Sequence, residues 1–375
     1  MNKLVVVKKI EHKNIVWFKN SNSYLVLGQI AADILLKIDK NNSFEEIETW
    51  ALKKIAASKN IIKKFIEDVF LLYSTNNEIK RENQTDVKTN KIPTKYFLEK
   101  YYAINNYIFK IQFETEFHLL KIHPTFAHLE IKEPPNYSFK YTVFNNKNLI
   151  VFFKDGTFIG KWNKNEAHVF EGKLSMQILI DIYKKPETNW MGVFHASAIS
   201  NGKESMLFLG DSGNGKSTSL ALLNANGFDC IADDFVPIDN GKNIYTYPAA
   251  ISIKKKSVKT LLSFYPELEN SAEYHFKKLN KTVRYLPPKN INFDIKLKCK
   301  ALVFIKYNPK IELEINSISK IDAFQQLIPD SWISPLEKNV TVFLKWFLDL
   351  PCYELTYSNN TKMIATVSKI FNDEL

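Results

Sequence analysis

A glycine-rich turn near the middle of the chain constrains the fold more than any other segment. Residues 210–218 read GDSGNGKST, which fits the pattern G-x-x-x-x-G-K-[ST]. The apolar run Ser205–Leu209 before it predicts a strand, and residues 217–226 after it predict a helix that Gly227 ends. A strand at 228–232, a hairpin turn at Asn240-Gly241 and a buried strand at 301–307 follow. This alternation predicts an α/β domain.

The turn carries the residues that bind a nucleoside triphosphate. Glycines at 210, 213 and 215 let the backbone direct N–H groups at phosphate oxygens, and the helix adds the positive end of its dipole. Lys216 is expected to reach the β- and γ-phosphates, and the Ser217 hydroxyl to ligate Mg²⁺. An ordinary strand-to-helix turn that contains glycine is the alternative. The expected ligands are ATP and Mg²⁺, bound by the P-loop residues Gly210, Asp211, Ser212, Gly213, Asn214, Gly215, Lys216, Ser217 and Thr218.

An acidic pair and a histidine lie in the same stretch. Asp233 and Asp234 follow the predicted strand 228–232. Because neighbouring strands of an open α/β sheet end in one crevice, both carboxylates are expected to face the bound γ-phosphate. One can hold Mg²⁺ and the other can accept a proton from an acceptor hydroxyl; a solvated turn is the alternative. His195, in the segment 194–197, is by itself more typical of a structural histidine.

Composition excludes some classes of protein. The net charge of +11 comes almost entirely from lysines spread along the chain, since Arg81 and Arg284 are its only arginines. Nucleic acid is therefore not expected as the main ligand, and an acidic peptide suits the charge at least as well. No apolar run reaches the roughly 18 residues that span a bilayer, so no membrane association is expected. Cys230, Cys299 and Cys352 are widely spaced, which favours a reduced cytoplasmic setting.

The remainder of the chain separates into two further regions by pattern. Residues 1–75 predict a small winged-helix-like α+β domain: a strand at Tyr24–Leu27, a helix, a second helix started by a capping box of Ser43 and Glu46, and a third helix. The third helix is expected to bury an apolar face made of Ile61, Ile62, Phe65, Ile66, Val69 and Phe70. Residues 76–94 are polar and predict a linker.

Residues 95–190 predict a β-rich subdomain without a chemical motif. Lys154-Asp155-Gly156-Thr157 is typical of a hairpin turn between two apolar strands. His118, His123 and His128 lie five residues apart, which matches neither helical nor strand-face metal spacing, so structural roles are favoured. The α/β domain then occupies residues 191–375.

The glycine loop, the histidine before it and the acidic pair together resemble the HPr kinase/phosphorylase family and the related ATP-dependent PEP carboxykinases. The segments that carry the resemblance are 194–197, 209–217 and 226–234. The resemblance implies an HPr kinase/PEP carboxykinase-like fold, with His195 near the metal and phosphates. It also implies that Asp233 is the general base for a serine hydroxyl and that Asp234 helps to hold Mg²⁺, although the two roles can be exchanged.

Downstream, the sequence departs from that family, because the signature that supports phosphorylase activity is not recognisable. HPr itself as acceptor and the reverse phosphorolysis therefore stay open. Lys278, Lys281 and Arg284 lie before Pro287-Pro288, where relatives carry basic residues. Arg284 would neutralise charge on the transferring phosphoryl group; a solvated basic face is the alternative.

The first region resembles the PqqD family, which binds leader peptides of ribosomally made natural products. Residues 24–27, 31–35 and 44–47 carry this resemblance, and most are core positions. It implies that the edge of the small sheet accepts a peptide as an added strand. A structural cap on the kinase domain is the alternative.

Three hypotheses follow for the function. The first is an ATP-dependent serine kinase that phosphorylates a Ser or Thr hydroxyl of a peptide or protein, such as a precursor peptide recruited through its leader. The second is a small-molecule hydroxyl kinase that uses the same residues. The third is a nucleotide-dependent switch or DNA-binding ATPase, against which no recognition helix stands out. A homo-oligomer is compatible with each.

Overall fold

The computed structural model describes residues 3–78, 92–276, 281–289 and 291–375. They form two compact units, one that joins the N-terminal region to Ile318–Cys352 and another that joins the central region up to Ser317 to Tyr353–Leu375. The sequence-based division into 1–75, 95–190 and 191–375 differs from this one. Residues 318–352 belong to the N-terminal unit, and the regions 95–190 and 191–317 share the second unit. Of the expected linker 76–94, residues 79–91 lie outside the described part of the chain.

The N-terminal region contains a three-stranded antiparallel sheet and three helices. The strands are β1 (Val5–Ile10), β2 (Lys13–Phe18) and β3 (Ser23–Leu27), and the helices are α1 (Gln29–Asp39), α2 (Phe44–Leu52) and α3 (Lys59–Asn77). The predicted capping box is confirmed, because Ser43 Oγ accepts a 3.2 Å hydrogen bond from the Glu46 amide and Glu46 accepts a 2.9 Å bond from the Ser43 amide. Ile61 was wrongly assigned to the buried face of α3: it is 63% exposed, whereas Ile62, Ile66 and Val69 are buried.

The predicted β-rich region contains a six-stranded sheet and two longer helices. Its elements are β4 (Leu98–Ile104), β5 (Tyr107–Phe113), α4 (Glu116–Phe126), β6 (Glu130–Ile131), β7 (Phe139–Asn146), β8 (Leu149–Lys154), β9 (Thr157–Asn163) and α5 (Ala167–Tyr183). The strand order is β6-β4-β5-β7-β8-β9. The predicted β8–β9 hairpin is confirmed, and its turn residues Asp155 and Gly156 have the positive φ values of 47° and 79° that such a turn requires. His118 bonds Thr115 and Asn145, in keeping with a structural role.

The region around the glycine turn alternates strands and helices. Its elements are β10 (Trp190–Phe194), β11 (Ser197–Ser200), β12 (Ser205–Leu209), α6 (Lys216–Ala225), β13 (Asp229–Asp233), β14 (Val236–Asp239), β15 (Asn243–Tyr245), β16 (Ile251–Lys254), α7 (Lys255–Leu261), β17 (Tyr274–Phe276), β18 (Lys281–Leu286), β19 (Lys296–Tyr307) and β20 (Leu313–Ser317). The strand and helix predicted on either side of the glycine turn are therefore present.

The strands of this region form two sheets. The larger has the order β13-β11-β12-β19-β15-β14-β10, in which β12 runs parallel to β19 and antiparallel to β11. The smaller has the order β16-β18-β17. Helix α6 packs its apolar side on the larger sheet, so that Leu220 and Leu223 lie in one buried cluster with Phe208 and Val303.

The segment after β20 adds first to the N-terminal unit and then to the second unit. Helix α8 (Lys320–Leu327), strand β21 (Ser331–Ile333) and helix α9 (Glu337–Asp349) belong to the N-terminal unit. The Tyr24 ring lies 6.0 Å from that of Phe324 and 5.9 Å from that of Phe343, measured between centroids. This aromatic contact explains why residues 318–352 join that unit. Strand β22 (Cys352–Tyr357) then pairs with β19 and β20, and helix α10 (Asn360–Phe371) follows. Among the described residues, every helix is too short or too polar to cross a membrane.

Candidate active site

The glycine turn (residues 210–215) has a backbone that only glycine adopts easily. Gly210 has φ of 136°, and a Cβ placed there would lie 2.8 Å from the carbonyl oxygen of Ile305 on the neighbouring strand β19. Gly215 has φ of 97° and is the N-cap of α6. The Lys216 side chain, only 6% exposed, folds back over the turn and donates to the Gly210 carbonyl oxygen. Gly210 therefore lets the turn pack more closely against β19 than a residue with a side chain would allow.

The carboxylate of Asp233 connects the start of α6 to three other elements. Its Oδ1 accepts hydrogen bonds from Ser197 Oγ at 2.6 Å and from Ser217 Oγ at 3.2 Å. Its Oδ2 accepts a bond from the backbone amide of Ser252 at 3.1 Å. Strand pairing accounts for the first contact, because Ser197 on β11 is the register partner of Asp233 on β13. The sequence prediction that the acidic pair meets the glycine turn is therefore met at Ser217.

Asp233 is an unusual carboxyl group electrostatically. It is 2% exposed, and burial, followed by the nearby charge of Asp234, raises its pKa to about 7. The three hydrogen bonds act in the opposite direction, since they stabilise the ionised form. A carboxyl group with this pKa changes charge near neutral pH, so a cation bound beside it would favour its ionised form.

Asp234 has a different environment from its neighbour. Its φ of 60° places it in the left-handed region, which turns the chain at the end of β13. The side chain is 42% exposed, and its Oδ1 lies 3.8 Å from Nδ1 of His195. His195 lies between β10 and β11, so the short connection between these strands brings it to the acidic pair. The predicted grouping of His195 with the acidic pair is thus seen in the structure.

Four lysines surround the glycine turn, and two of them were not singled out from the sequence. Lys254 Nζ donates to Ser212 Oγ at 2.9 Å and lies 3.7 Å from the place that a Cβ on Gly213 would occupy. Lys256 and Lys281 line the same cavity as Lys216. Burial, and then the positive charges of Lys281, Lys256 and Lys216, lower the pKa of Lys254. A bound polyanion would relieve this repulsion.

Strand periodicity is the signal that would have found Lys254. In β16, Ile251 and Ile253 are buried, whereas Ser252 and Lys254 face the cavity. The apolar–polar alternation of residues 251–254 is visible in the sequence. However, the sequence does not show that this strand lies beside the glycine turn.

Arg284 does not reach the site, so its assignment as a catalytic residue needs correction. It is opposite Ile253 in the β16–β18 register, and paired residues of antiparallel strands point to the same face. That face is the one turned away from Ser252 and Lys254. Its guanidinium bonds the carbonyl oxygens of Leu268 and Glu269 and lies 3.1 Å from Glu273. Lys281, three residues earlier, reaches the cavity instead; Lys278 lies outside the described residues.

Most of the predicted site residues meet in one cavity, here called the turn cavity. It is lined by Asp211, Ser212, Gly213, Gly215, Lys216, Ser217, Thr218, His195 and Asp234, together with Ser252, Lys254, Lys256, Ser257 and Lys281. Gly210 and Asn214 support the turn from outside the lining: the Asn214 carbonyl oxygen accepts a 2.9 Å bond from the Tyr307 amide. The oxygen donors of Ser217, Asp233 and Asp234 are of the kind that Mg²⁺ prefers.

Comparison with models of known protein families and with curated proteins gives no match to this chain. The resemblance to HPr kinases and to PqqD proteins thus has its support in the residues named above, and its functional meaning is a proposal.

Proposed function

We propose that this chain is an ATP-dependent kinase that transfers a γ-phosphoryl group to an acceptor hydroxyl. The observation that carries the proposal is the contact of 3.2 Å between Ser217, at the start of α6, and Asp233, at the end of β13. It supports a site in which the residue types needed for a triphosphate, a metal ion and a proton acceptor share one cavity. Phosphoryl transfer requires mainly positioning and charge neutralisation, which such residues supply.

The glycine turn and the lysines would bind the triphosphate. Backbone N–H groups of the turn and the N-terminus of α6 offer donors to phosphate oxygens. Lys216 would exchange its present acceptor, the Gly210 carbonyl, for a phosphate oxygen. Lys254 and Lys281 would neutralise the charge that Arg284 was expected to neutralise, because they line the cavity and Arg284 does not.

Mg²⁺ fits the oxygen donors of Ser217, which lines the turn cavity, and of Asp233, which lies outside that lining but 3.2 Å from Ser217. Ser217 and Asp233 would hold it, and the ion would supply charge neutralisation between the phosphates. In Asp233 both carboxylate oxygens already accept hydrogen bonds, from Ser197, Ser217 and the Ser252 amide. This side chain is therefore fixed in place, which suits a metal ligand better than a mobile base.

Asp234 is the more accessible carboxylate of the pair, so we assign it the role of proton acceptor. Its carboxylate is exposed to the turn cavity, and His195 lies beside it. The acceptor oxygen would form the new bond to the γ-phosphorus while the bond to the bridging oxygen of ADP breaks, and Asp234 would take the hydroxyl proton. This arrangement exchanges the roles that the family resemblance implied for Asp233 and Asp234.

The proposal is tested with Mg²⁺ and γ-labelled ATP. We expect the wild type to bind ATP in a magnesium-dependent manner and Lys216→Ala to lose at least 10-fold in affinity, because one charge-assisted contact contributes about 1.5–3 kcal/mol. Lys259→Ala, an exposed lysine of α7, serves as a matched control for the lost charge. Equal affinity of wild type and Lys216→Ala for ATP would contradict the proposal.

The acceptor is the second part of the proposal. The PqqD-like features of residues 1–75 favour a peptide or protein acceptor, as the first hypothesis states. The cavities of the second unit bear on the same question independently.

A further inference from the structure

A second and larger cavity adjoins the turn cavity within the same unit. Its volume is about 400 Å³, and we call it the aromatic cavity. Helices α4 and α5 form one wall, and residues that follow β13 and belong to β16–β18 form the other. The region 95–190, which showed no chemical motif in the sequence, therefore contributes half of this cavity.

Five of the residues that line the aromatic cavity carry phenyl or phenol rings. They are Phe126, Phe235, Tyr247, Phe276 and Tyr285. The rings of Phe235 and Tyr247 lie 4.4 Å apart between centroids, and Phe126 contacts Tyr247 edge-on at 6.2 Å. These rings pack on one another, and a further aromatic ring could pack beside them in the same offset or edge-on arrangements.

About half of the lining residues are polar or charged. Lys121 of α4 pairs with Glu171 of α5 at 2.8 Å across the helical wall, and His168 and Ser175 of α5 also line the cavity. The volume of about 400 Å³ falls within the range of about 300–1,000 Å³ that is typical of small-molecule sites. A peptide recognised along its backbone would instead need an extended groove or a free sheet edge.

The two cavities meet at the residues that would perform the chemistry. His195, Asp234, Ser252 and Lys281 line both. A ligand in the aromatic cavity would thus direct its nearest oxygen toward Asp234 and toward a phosphate in the glycine turn. Phe235 follows Asp234 directly, so the base and the aromatic wall are held by one short segment.

We infer that the aromatic cavity is the acceptor site and that the acceptor is a small alcohol with an aromatic body. This inference rests on the proposed kinase function, and it selects the small-molecule acceptor of the second hypothesis over the peptide acceptor that residues 1–75 favour. In the step it implies, the alcohol oxygen bonds to the γ-phosphorus, ADP leaves with the bridging oxygen, and the alcohol proton passes to Asp234. The products are a phosphate monoester and ADP.

The test compares acceptors in the intact chain. Saturation-transfer NMR first measures binding of 2-phenylethanol without nucleotide. Transfer from γ-labelled ATP is then measured with 2-phenylethanol, with glycerol and with acetyl-Ala-Ser-Ala-amide as a peptide acceptor. We expect binding of 2-phenylethanol and at least 10-fold faster transfer to it than to either other compound.

A cavity-filling variant and a matched control locate the effect. Gly172 of α5 lines the aromatic cavity, and a Cβ there meets no atom within 4 Å, so a side chain can begin at this position without a clash at its Cβ. Gly172→Phe also removes a helix-interior glycine, which favours folding. Val169→Phe places the same ring on the same helix at a position that is 42% exposed and outside the cavity lining. We expect Gly172→Phe to lower both binding and transfer at least 10-fold, and Val169→Phe to change neither.

The outcomes separate this inference from the kinase proposal. If the wild type does not bind Mg²⁺·ATP, the kinase proposal fails and this inference fails with it. If ATP binds and is hydrolysed but the peptide is the preferred acceptor, or if Gly172→Phe matches Val169→Phe, only the assignment of the aromatic cavity is overturned.

Discussion

The ammonium group of Lys254 lies 2.9 Å from the hydroxyl oxygen of Ser212, across the open side of the glycine turn. One residue comes from the turn and the other from the smaller sheet, so two separate parts of the fold enclose the same space. Lys254 is partly buried among other lysines, whose charges help to lower its pKa. An arrangement that is unfavourable for the free protein is favourable once a polyanion is bound.

We expect Lys254→Ala to weaken ATP binding more than ADP binding. The lost contact lies over the turn, and a charge-assisted hydrogen bond contributes about 1.5–3 kcal/mol, which corresponds to roughly 10-fold or more in Kd. Isothermal titration calorimetry with each nucleotide and Mg²⁺ measures the effect.

Two controls define what the loss at Lys254 means. Lys259→Ala removes an exposed positive charge from α7, the helix that follows β16, and should leave the Kd unchanged. Arg284→Gln should also leave the Kd unchanged. The Arg284 side chain points to the face of β18 that is turned away from Lys254, and there it pairs with Glu273. A larger loss of ATP affinity in Arg284→Gln than in Lys254→Ala would restore the original assignment of the arginine.

The Asp233 and Asp234 variants should change different kinetic quantities. Asp234→Asn is expected to lower kcat by about 10²–10⁴-fold, the range for loss of a positioned base, with little change in the Mg²⁺ concentration needed for half-maximal rate. Asp233→Asn should raise that Mg²⁺ concentration, because it alters the carboxylate beside Ser217. Steady-state rates measured over a Mg²⁺ series distinguish the two. The reverse pattern would show that Asp233, and not Asp234, is the general base.

Local features of this site were predictable from the sequence, whereas long-range neighbours were not. The glycine turn, its flanking strand and helix, and the acidic pair follow from spacing and periodicity within about 30 residues, the range over which such motifs operate. Lys254 and the aromatic cavity depend on how β16, β18, α4 and α5 assemble around β13. One sequence gives no information on that assembly.

The misassignments of Arg284 and Ile61 share one physical cause. Ile61 was assigned as part of an apolar helix face and Arg284 from the basic residues that relatives carry in this loop, but the direction of a side chain depends on its exact place in the period of its element. On β18, Lys281 and Arg284 differ by an odd number of residues, so they point to opposite faces of the sheet. The compact units differ from the sequence-based division for a related reason, because the aromatic contact between Tyr24 and Phe324 joins residues 300 positions apart.

That contact yields a prediction for the N-terminal unit. The Tyr24 ring packs on Phe324 and Phe343, while its hydroxyl is buried without a hydrogen-bond partner among the described residues. Tyr24→Ala should lower the free energy of unfolding by about 3 kcal/mol, the low end of the range for removal of a large buried ring, because Tyr24 is only half-buried. Tyr24→Phe keeps the ring and removes the unpaired hydroxyl, so it should equal or exceed the wild type in stability.

Urea unfolding followed by tryptophan fluorescence measures both Tyr24 variants. Destabilisation by Tyr24→Phe as large as that by Tyr24→Ala would show that the hydroxyl has a partner. The same contact affects the design of truncations: deletion of residues 1–75 removes Tyr24 and exposes the rings of Phe324 and Phe343. Substitutions within the intact chain are therefore the better way to test peptide binding by this unit.

The buried carboxyl group of Asp233 predicts how stability depends on pH in the absence of nucleotide and metal. Its pKa is about 7 in the folded chain and 3.8 in the unfolded chain, so the folded state retains a proton that the unfolded state loses. The sign follows from linkage: the contribution of Asp233 to stability is greatest below pH 4, falls as the pH rises toward 7, and levels off above that value. Asp233→Asn has no charge to bury, so it lacks this fall. Relative to the wild type, the variant should gain about 2 kcal/mol in free energy of unfolding between pH 5 and pH 8.

Urea unfolding of the metal-free protein at both pH values gives this difference directly. The change between pH values is the informative quantity, because the substitution also alters the hydrogen bonds from Ser197 and Ser217 at every pH. Asp229→Asn, at the other end of β13, controls for the loss of a carboxylate from the same strand. A parallel pH dependence in Asp233→Asn and wild type would mean that Asp233 is not the group that titrates. If the predicted gain is observed, the wild type retains a carboxylate that destabilises its own fold at neutral pH, which is the expected signature of a residue kept for binding a cation.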